Sequence, residues 1–226
     1  MNYETKLCFK VGFILFPFFA AAIRLIAVLP SVRTPMNAKL LSEVPLALNG
    51  SNVMILLGSG GHTGEMMRIL GKVDVSKFSR TWVVSSNDTS SLEKAKAYEE
   101  SMKSDYLSQY LSLHRARSVG EPLLSSVKNT LTSFCCTLKS LWTLSELPSV
   151  LLLNGPGTSV PLAYLLFLMK FFGLCNTRII YIESLARVQE LSLSGILLLP
   201  ISDRFIVQWA QLYYKYKRAE YYGILI

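Results

Sequence analysis

A glycine-rich stretch that contains a histidine is the part of the sequence best suited to chemistry. It reads Gly58-Ser59-Gly60-Gly61-His62-Thr63 and follows the apolar run 53–57. Glycine lets the backbone come close to a ligand, and the free amides that open the next helix favour an anionic group. A neutral imidazole at position 62 could take a proton from a hydroxyl, or it could contact a phosphate. The alternatives are a tight turn without a ligand and a histidine that only opens the helix.

The spacing of these glycines argues against two common nucleotide motifs. A dinucleotide fingerprint that begins at Gly58 needs a glycine at position 63, where Thr63 stands. The lysine of the Walker motif is also missing. The sequence therefore supports neither NAD nor a P-loop nucleotide as a ligand.

Two further loops present residues of the same kind. Asn154-Gly155-Pro156-Gly157-Thr158 exposes backbone before a strongly apolar helical pattern, and Glu183-Ser184 ends another apolar run. A carboxylate at the end of a strand is unusual unless it binds a hydroxyl or pairs with a base. Arg187 lies four residues later and could be that partner. An ordinary turn at 154–158 and a structural Glu183–Arg187 salt bridge are the alternatives.

All of these loops follow short apolar runs that predict buried strands. Continuous apolar strands that alternate with helical patterns are typical of a parallel sheet covered on both faces. Right-handed crossovers then give a doubly wound α/β fold, in which ligands bind beyond the carboxyl ends of the strands. The loops should therefore meet at one edge of the sheet. The predicted strands are 53–57, 81–85, 106–113, 150–153, 179–182 and 205–207.

Two of the intervening helical patterns, 123–147 and 160–172, carry more apolar residues than one buried stripe needs. Packing in the core explains both helices. The alternative is a surface that dips into a membrane interface, with lysines near the lipid phosphates.

The N-terminus holds a long apolar segment. As a helix, residues 7–29 would span roughly the 30 Å of a hydrocarbon core, and the two cationic residues within it lie near its ends. We predict a transmembrane anchor helix at 1–30, a linker at 31–52 and an α/β domain at 53–226. A cleaved signal peptide and a buried amphipathic helix are the competing interpretations.

The composition narrows the range of partners. Hydrophobic residues form 51% and charged residues only 17% of the 226 residues, which favours a membrane protein over a freely soluble domain. The formal net charge of +8 suits a phosphate-bearing ligand or an anionic membrane. Nucleic acid is disfavoured because the basic residues are scattered and no recognition-module signature occurs. The four cysteines show no metal-binding spacing, so we expect reduced thiols, a cytosolic domain and no metal.

In combination and in this order, the loops resemble one known family. From residue 53 to residue 226 the sequence is similar to the membrane-anchoring subunit of the eukaryotic dolichyl-diphosphate N-acetylglucosamine transferase. Two positions depart from the family pattern: Ser159 and Ala186 stand where cysteine is usual, which argues that the chemistry needs no thiol. The matching segments are 58–66, 115–120, 154–158, 181–184, 191–195 and 203–209.

The resemblance implies a split version of the two-domain fold, called GT-B, of the bacterial transferase that makes the lipid-linked peptidoglycan precursor. This chain would be the N-terminal, acceptor-side half, and a small soluble subunit would bind the donor, UDP-N-acetylglucosamine. No other cofactor is implied. The main domain would face the cytosol at the endoplasmic reticulum membrane, with the nuclear envelope as a second location.

The implied reaction is an inverting transfer onto a dolichyl-diphosphate-linked N-acetylglucosamine, with His62 or Glu183 as the candidate base. Charge-assisted hydrogen bonds would hold the acceptor diphosphate. The apolar end of the chain, Gly223-Ile224-Leu225-Ile226, is predicted to bind the partner or to pack on the domain. The implied acceptor-binding residues are Gly58, Ser59, Gly60, Gly61, Thr63, Arg115, Arg117, Asn154, Gly155, Gly157, Thr158, Ser184 and Arg187.

Two other functions remain as alternatives. A non-catalytic membrane scaffold would only tether the partner subunit. A self-sufficient one-chain glycosyltransferase is not expected, because no second α/β domain follows for a nucleotide sugar.

Overall fold

The structure is a computed structural model that describes residues 3–32, 51–102, 104–114 and 126–226. Arg115, Arg117 and most of the predicted linker at 31–52 lie outside these ranges. The described part consists of a parallel β-sheet flanked by helices, preceded by one long helix.

Seven strands and seven α-helices alternate along the described chain. A short 3-10 turn, Pro30–Val32, follows the first helix. The strands are β1 (Asn52–Leu57), β2 (Ser79–Ser85), β3 (Ser108–Leu113), β4 (Val150–Asn154), β5 (Arg178–Ile182), β6 (Arg204–Val207) and β7 (Glu220–Tyr221). The helices are α1 (Tyr3–Val28), α2 (Gly61–Leu70), α3 (Thr89–Met102), α4 (Ser126–Trp142), α5 (Ser159–Phe171), α6 (Leu193–Leu198) and α7 (Ala210–Lys215).

The sheet has the strand order β3-β2-β1-β4-β5-β6-β7, and every neighbouring pair is parallel. Because β1 pairs with both β2 and β4, the direction of winding reverses at β1. Parallel sheets of this kind bind ligands in the crevice at the carboxyl end of the reversal point. The candidate site should therefore lie beyond the ends of β1 and β4.

Helices cover both faces of the sheet. Successive residues of a strand point to opposite faces, so Met54 and Leu56 pack into one apolar cluster, while Ile55 and Leu57 pack into the other. The first cluster includes residues of α4, α5 and α6, and the second includes residues of α2 and α3. The predicted doubly wound parallel fold is confirmed.

Helix α1 contacts the domain at one end and exposes apolar side chains within the stretch 13–26. The guanidinium of Arg24 donates hydrogen bonds to the carbonyls of Phe171 (2.9 Å) and Lys170 (3.0 Å), at the end of α5. Phe13 is 85% exposed and Phe18 is 71% exposed. Among the described residues, no helix has both the length and the apolar character that a membrane crossing requires. The transmembrane helix expected from the sequence is therefore not confirmed.

The other element predictions agree with the structure apart from their ends. All six predicted strands are present, and each differs from its prediction by two residues or fewer at either end. The helix predicted at 160–172 is α5, and the one predicted at 123–147 contains the shorter α4. Strand β7 was not predicted, because two residues are too few to produce an alternating pattern.

Candidate functional site

Three loops meet at the carboxyl edge of the sheet, where the winding reverses. They follow β1, β4 and β5, and they bring together side chains from distant parts of the sequence: His62 and Glu65 from α2, Asn154 from the end of β4, and Ser184 from the loop after β5. The apolar runs and the loops after them predicted one shared edge, and the parallel strand order places the loops there.

His62 lies at the centre of this group. Its Nδ1 is 2.9 Å from Oδ1 of Asn154 and 3.7 Å from Oε2 of Glu65, and its side chain is 34% exposed. Both neighbouring oxygens are acceptors, so the Nδ1 position carries the proton. The Glu65 carboxylate raises the pKa of His62 above its usual value, burial opposes that shift, and Asn154 adds to it. In the neutral ring, Nε2 is then the nitrogen that can accept a proton from a substrate.

Two glycines make room for this imidazole. A β-carbon at Gly58 would lie 2.7 Å from the Cβ atom of His62 and 2.8 Å from the ring of Pro156. Gly155 has a φ of +61° and passes directly beside the imidazole ring. Glycine is the residue that adopts such a φ without steric cost. The glycines of the first and second loops thus serve at least in part to seat His62.

Glu65 connects the first loop to the loop after β5. Its Oε1 accepts hydrogen bonds from the Leu185 amide (2.6 Å) and from the Ser184 hydroxyl (3.3 Å). Its Oε2 is buried and has no hydrogen-bond partner. Burial by itself raises the pKa of Glu65, but His62 and the donors from Leu185 and Ser184 outweigh it and hold the pKa below its usual value. Glu65 is therefore ionised beside His62 at neutral pH.

Glu183 is fully buried, and other residues of the protein occupy both of its carboxylate oxygens. Oε1 accepts from the Ser184 amide at 3.0 Å, and Oε2 accepts from the amide and hydroxyl of Ser192 at 3.0 and 3.1 Å. A β-carbon at Gly195 would overlap Oε2. Burial, together with the charge of Glu183, raises the pKa of the nearby Tyr181 hydroxyl. This arrangement suits a carboxylate that organises the loop between β5 and α6, and it leaves no oxygen free for a substrate.

The other residues expected to bind the acceptor fall into two groups. Ser59, Gly60, Gly61 and Gly157 are exposed at the edge, whereas Thr63, Thr158 and Ser184 are buried. The hydroxyl of Thr63 contacts the Gly58 carbonyl and lies 2.7 Å from Ser91 Oγ, so Thr63 holds the loop together. Arg187 is exposed, and the described residues contain no Glu183–Arg187 ion pair.

The C-terminal residues are connected to Glu183 through the side chain of Gln208. The Leu225 amide donates to Oε1 of Gln208 at 3.1 Å, and Nε2 of Gln208 donates to the Glu183 carbonyl at 3.1 Å. Gly223 has a φ of +84°, and Ile224 is half exposed. The chain end is therefore joined to the domain while part of its apolar surface stays accessible.

Sequence reasoning missed Glu65, Ser192, Gly195 and Gln208. For Glu65 a signal existed, because residues three apart on a helix lie on the same face, and Glu65 follows His62 by three. Ser192 and Gln208 come from separate loops, and no spacing in the sequence links them to Glu183. In the described part of the chain, no group of His, Cys, Asp and Glu side chains could hold a metal ion.

Comparison with known proteins identifies the family. The family described as "Oligosaccharide biosynthesis protein Alg14 like" matches residues 53–225. A protein of Debaryomyces hansenii named "UDP-N-acetylglucosamine transferase subunit ALG14" is 61% identical over 100% of both chains. A mouse protein of the same name is 35% identical over 77% of this chain and 82% of its own length.

The fold has a counterpart among solved structures. The crystal structure of Acinetobacter baumannii MurG matches with a TM-score of 0.50 at 11% sequence identity. The match covers 76% of this chain and 45% of the MurG chain, so this chain shares the fold of part of that protein. On the family match and the identity to its relatives, the chain belongs to the Alg14-like family of oligosaccharide biosynthesis proteins.

Proposed function

We propose that the chain is the acceptor-side subunit of a heteromeric enzyme that transfers N-acetylglucosamine from UDP-N-acetylglucosamine to a dolichyl-diphosphate-linked N-acetylglucosamine. Relatives that match over most of their length carry the name of a UDP-N-acetylglucosamine transferase subunit. The observation that carries the proposal for this chain is the position of His62. Its imidazole is partly exposed at the point where the winding reverses, between glycine loops that expose backbone.

His62 is the proposed general base. As the oxygen of the acceptor hydroxyl bonds to the anomeric carbon of the donor, its proton moves to Nε2 of His62. The bond from the anomeric carbon to the diphosphate oxygen breaks, and UDP leaves with the electron pair. Attack on the face opposite the leaving group inverts the anomeric centre. Glu183, the second candidate base, is in our proposal a structural residue because its oxygens already accept hydrogen bonds from Ser184 and Ser192.

The first glycine loop is the proposed site for the acceptor diphosphate. Gly60 precedes α2 without a side-chain cap, so the first amides of the helix are free to donate to phosphate oxygens. Ser59 and Gly61 are exposed at the same place. The sequence expectation that Arg115 and Arg117 add positive charge there remains part of the proposal.

A second subunit is required for the donor in this proposal. In the described residues the sheet forms one α/β unit, and the match covers 45% of the MurG chain. A small soluble partner that binds UDP-N-acetylglucosamine would supply the other side of the cleft. The accessible apolar surface at Gly223–Ile226 is the proposed contact for that partner.

Helix α1 is the proposed membrane attachment, through which the chain would reach the membrane that holds the lipid-linked sugar. Exposed apolar side chains on several sides of a helix are costly in water and favourable in lipid. We propose the endoplasmic reticulum as that membrane, with the α/β domain in the cytosol, as the resemblance to the dolichyl-diphosphate transferase subunit implies. Extraction of membranes with alkaline carbonate tests the attachment: the full chain should stay with the membrane pellet, and a variant with Phe16→Glu and Phe19→Glu should be released. Release of the unmodified chain would contradict it.

The function is tested by co-expressing this chain with the small partner and assaying membranes for transfer to a diphospholipid-linked N-acetylglucosamine. Each subunit is also assayed alone. Transfer only with both chains supports the two-subunit enzyme, and full transfer by a membrane-tethered partner alone would reduce this chain to a scaffold.

His62→Ala should lower transfer by about a hundred-fold or more, the usual contribution of a positioned acid or base. Arg68→Ala is the matched control, since Arg68 is exposed in the last turn of the same helix, at the end away from His62. Undiminished turnover in His62→Ala would remove His62 from the mechanism.

A further inference from the structure

A buried carboxylate oxygen points at His62 without a hydrogen-bond partner of its own. Glu65 lies one helical turn after His62 on α2, and its Oε2 is 3.7 Å from Nδ1 of the imidazole. This distance is too long for a hydrogen bond and short enough for a strong interaction between opposite charges. Burial of an unpaired carboxylate oxygen is costly, so a functional reason is expected for Oε2 of Glu65.

We propose that Glu65 is the positioning residue for His62: it keeps the ring proton on Nδ1, directs Nε2 toward the acceptor hydroxyl and stabilises the imidazolium that forms during transfer. This inference rests on the proposed function, in which His62 is the base. It adds a residue that the sequence analysis did not include in the site.

The structure separates Glu65 from the two other candidates for this role. Asn154 accepts a hydrogen bond from the same nitrogen at 2.9 Å, but it is neutral and cannot balance a charge on the ring. Glu183, on the β5 side, also contributes negative charge toward His62, but its oxygens are occupied by Ser184 and Ser192. Among the described residues, Glu65 and Glu183 are the charged groups that raise the pKa of His62.

Glu65 is itself held in place from the opposite side. The Leu185 amide and the Ser184 hydroxyl both donate to Oε1, which fixes the carboxylate and leaves Oε2 directed at His62. The pair is therefore preorganised before any substrate binds. Gln at position 65 could still accept from Leu185 through its carbonyl oxygen, but its amide would then present a donor to Nδ1.

The test uses the full chain in detergent micelles, labelled with ¹³C and ¹⁵N in histidine. The protein has two histidines, so His62 and His114 give two sets of ring signals, and His114→Gln identifies them. We expect the ring nitrogen shifts of neutral His62 to report a proton on Nδ1 in the unmodified chain. We also expect Glu65→Gln to move the titration midpoint of His62 to lower pH and to shift the proton toward Nε2.

Two results would overturn the positioning role whatever the activity shows. One is a neutral His62 that carries its proton on Nε2 in the unmodified chain, a measurement that does not depend on any variant folding. The other is an unchanged midpoint and unchanged tautomer in folded Glu65→Gln. Glu100→Gln on α3 is the matched control, because Glu100 is exposed and distant in sequence from the site.

Activity of the two-subunit enzyme gives the second readout. Glu65→Gln should lower kcat about ten-fold or more, a part of what a positioned base contributes, with little change in KM for the lipid acceptor. The Glu65→Gln substitution should also move the acid limb of the pH–rate profile to lower pH, by the same amount as the His62 midpoint. Glu65→Asp keeps the carboxylate and should restore part of the rate. A shifted His62 midpoint with undiminished transfer would instead overturn the use of His62 as the base.

Discussion

The imidazole of His62 lies against Gly155, so closely that a β-carbon at position 155 would be 2.7 Å from Nδ1 of the ring. The two residues come from different halves of the sheet, one after β1 and the other after β4. The orientation of the proposed base therefore depends on a backbone segment that is far from it in the sequence.

Gly155→Ala should displace His62 and destabilise the domain. The alanine would both overlap the ring and occupy a φ of +61°, which costs roughly 1–2 kcal/mol for a residue with a β-carbon. Urea unfolding should show at least that loss, and the ring signals of His62 should shift. Gly64→Ala is the control, because Gly64 lies within α2 with open space around its α-carbon and alanine favours a helix. Equal stability of the two variants would contradict the contact.

The stability contributed by the His62–Glu65 pair should depend on pH. The pKa of His62 is raised in the folded chain by Glu65, so folding favours the protonated ring. That contribution is fully present below the unfolded pKa of about 6.5 and is lost as the pH rises through the folded pKa. His62→Gln should therefore lower the Tm more at about pH 5.5 than at about pH 8.5. His114→Gln is the control for the loss of an imidazole elsewhere in the chain. If the Tm difference between the unmodified chain and His62→Gln is larger at the higher pH, the pairing is refuted.

Glu183→Gln should destabilise the domain without changing its shape. The carboxylate of Glu183 receives donors from Ser184 and Ser192, and an amide nitrogen in place of one oxygen would face a donor. Leaving buried groups unpaired in this way costs about 2–4 kcal/mol. Chemical unfolding measures the loss, and Glu100→Gln at an exposed position on α3 is the control. A loss no greater than that of the control would show that Glu183 does not organise the loop.

Arg24→Gln should loosen the junction between α1 and α5. The guanidinium of Arg24 caps the carbonyls of Lys170 and Phe171, and a cation at a helix C-terminus is stabilising. Loss of these bonds should cost about 1 kcal/mol locally, equivalent to roughly five-fold faster hydrogen exchange at the Gly173 amide. That amide donates to the Lys170 carbonyl, so it reports directly on the cap. Unchanged exchange in Arg24→Gln, with Arg24→Lys as an intermediate variant, would argue against a fixed junction.

The sequence was sufficient to predict six of the seven described strands, their parallel direction and the edge that carries the loops. Continuous apolar runs such as 53–57 indicate a buried strand without any knowledge of its neighbours. The glycine loops were equally visible, because the need for a close backbone approach is encoded in the residue type itself. His62 and Asn154 could therefore be placed at one edge before the structure was known.

The roles of the carboxylates could not be predicted in the same way. The sequence made Glu183 a candidate base because it is an acid at the end of a strand, and only the fold shows that Ser192 donates to its carboxylate. Glu65 was not among the predicted site residues, and its hydrogen bond from the Leu185 amide, far away in the chain, depends on the fold. Contacts between loops depend on how the strands are ordered in space, and local patterns do not contain that information.

The pairing of β1 with β4 has a consequence for how the protein is made. Val53 lies beside Val150, so the middle of the sheet closes only after the long segment between them has been synthesised. Contacts between residues so distant in the chain carry a large loop-closure cost and form late. The contact between His62 and Asn154 crosses this same boundary. A nascent chain released before β4 is complete would contain the entire first glycine loop and still lack the proposed site. The site can therefore form only after β4 and the loop that follows it have joined the sheet.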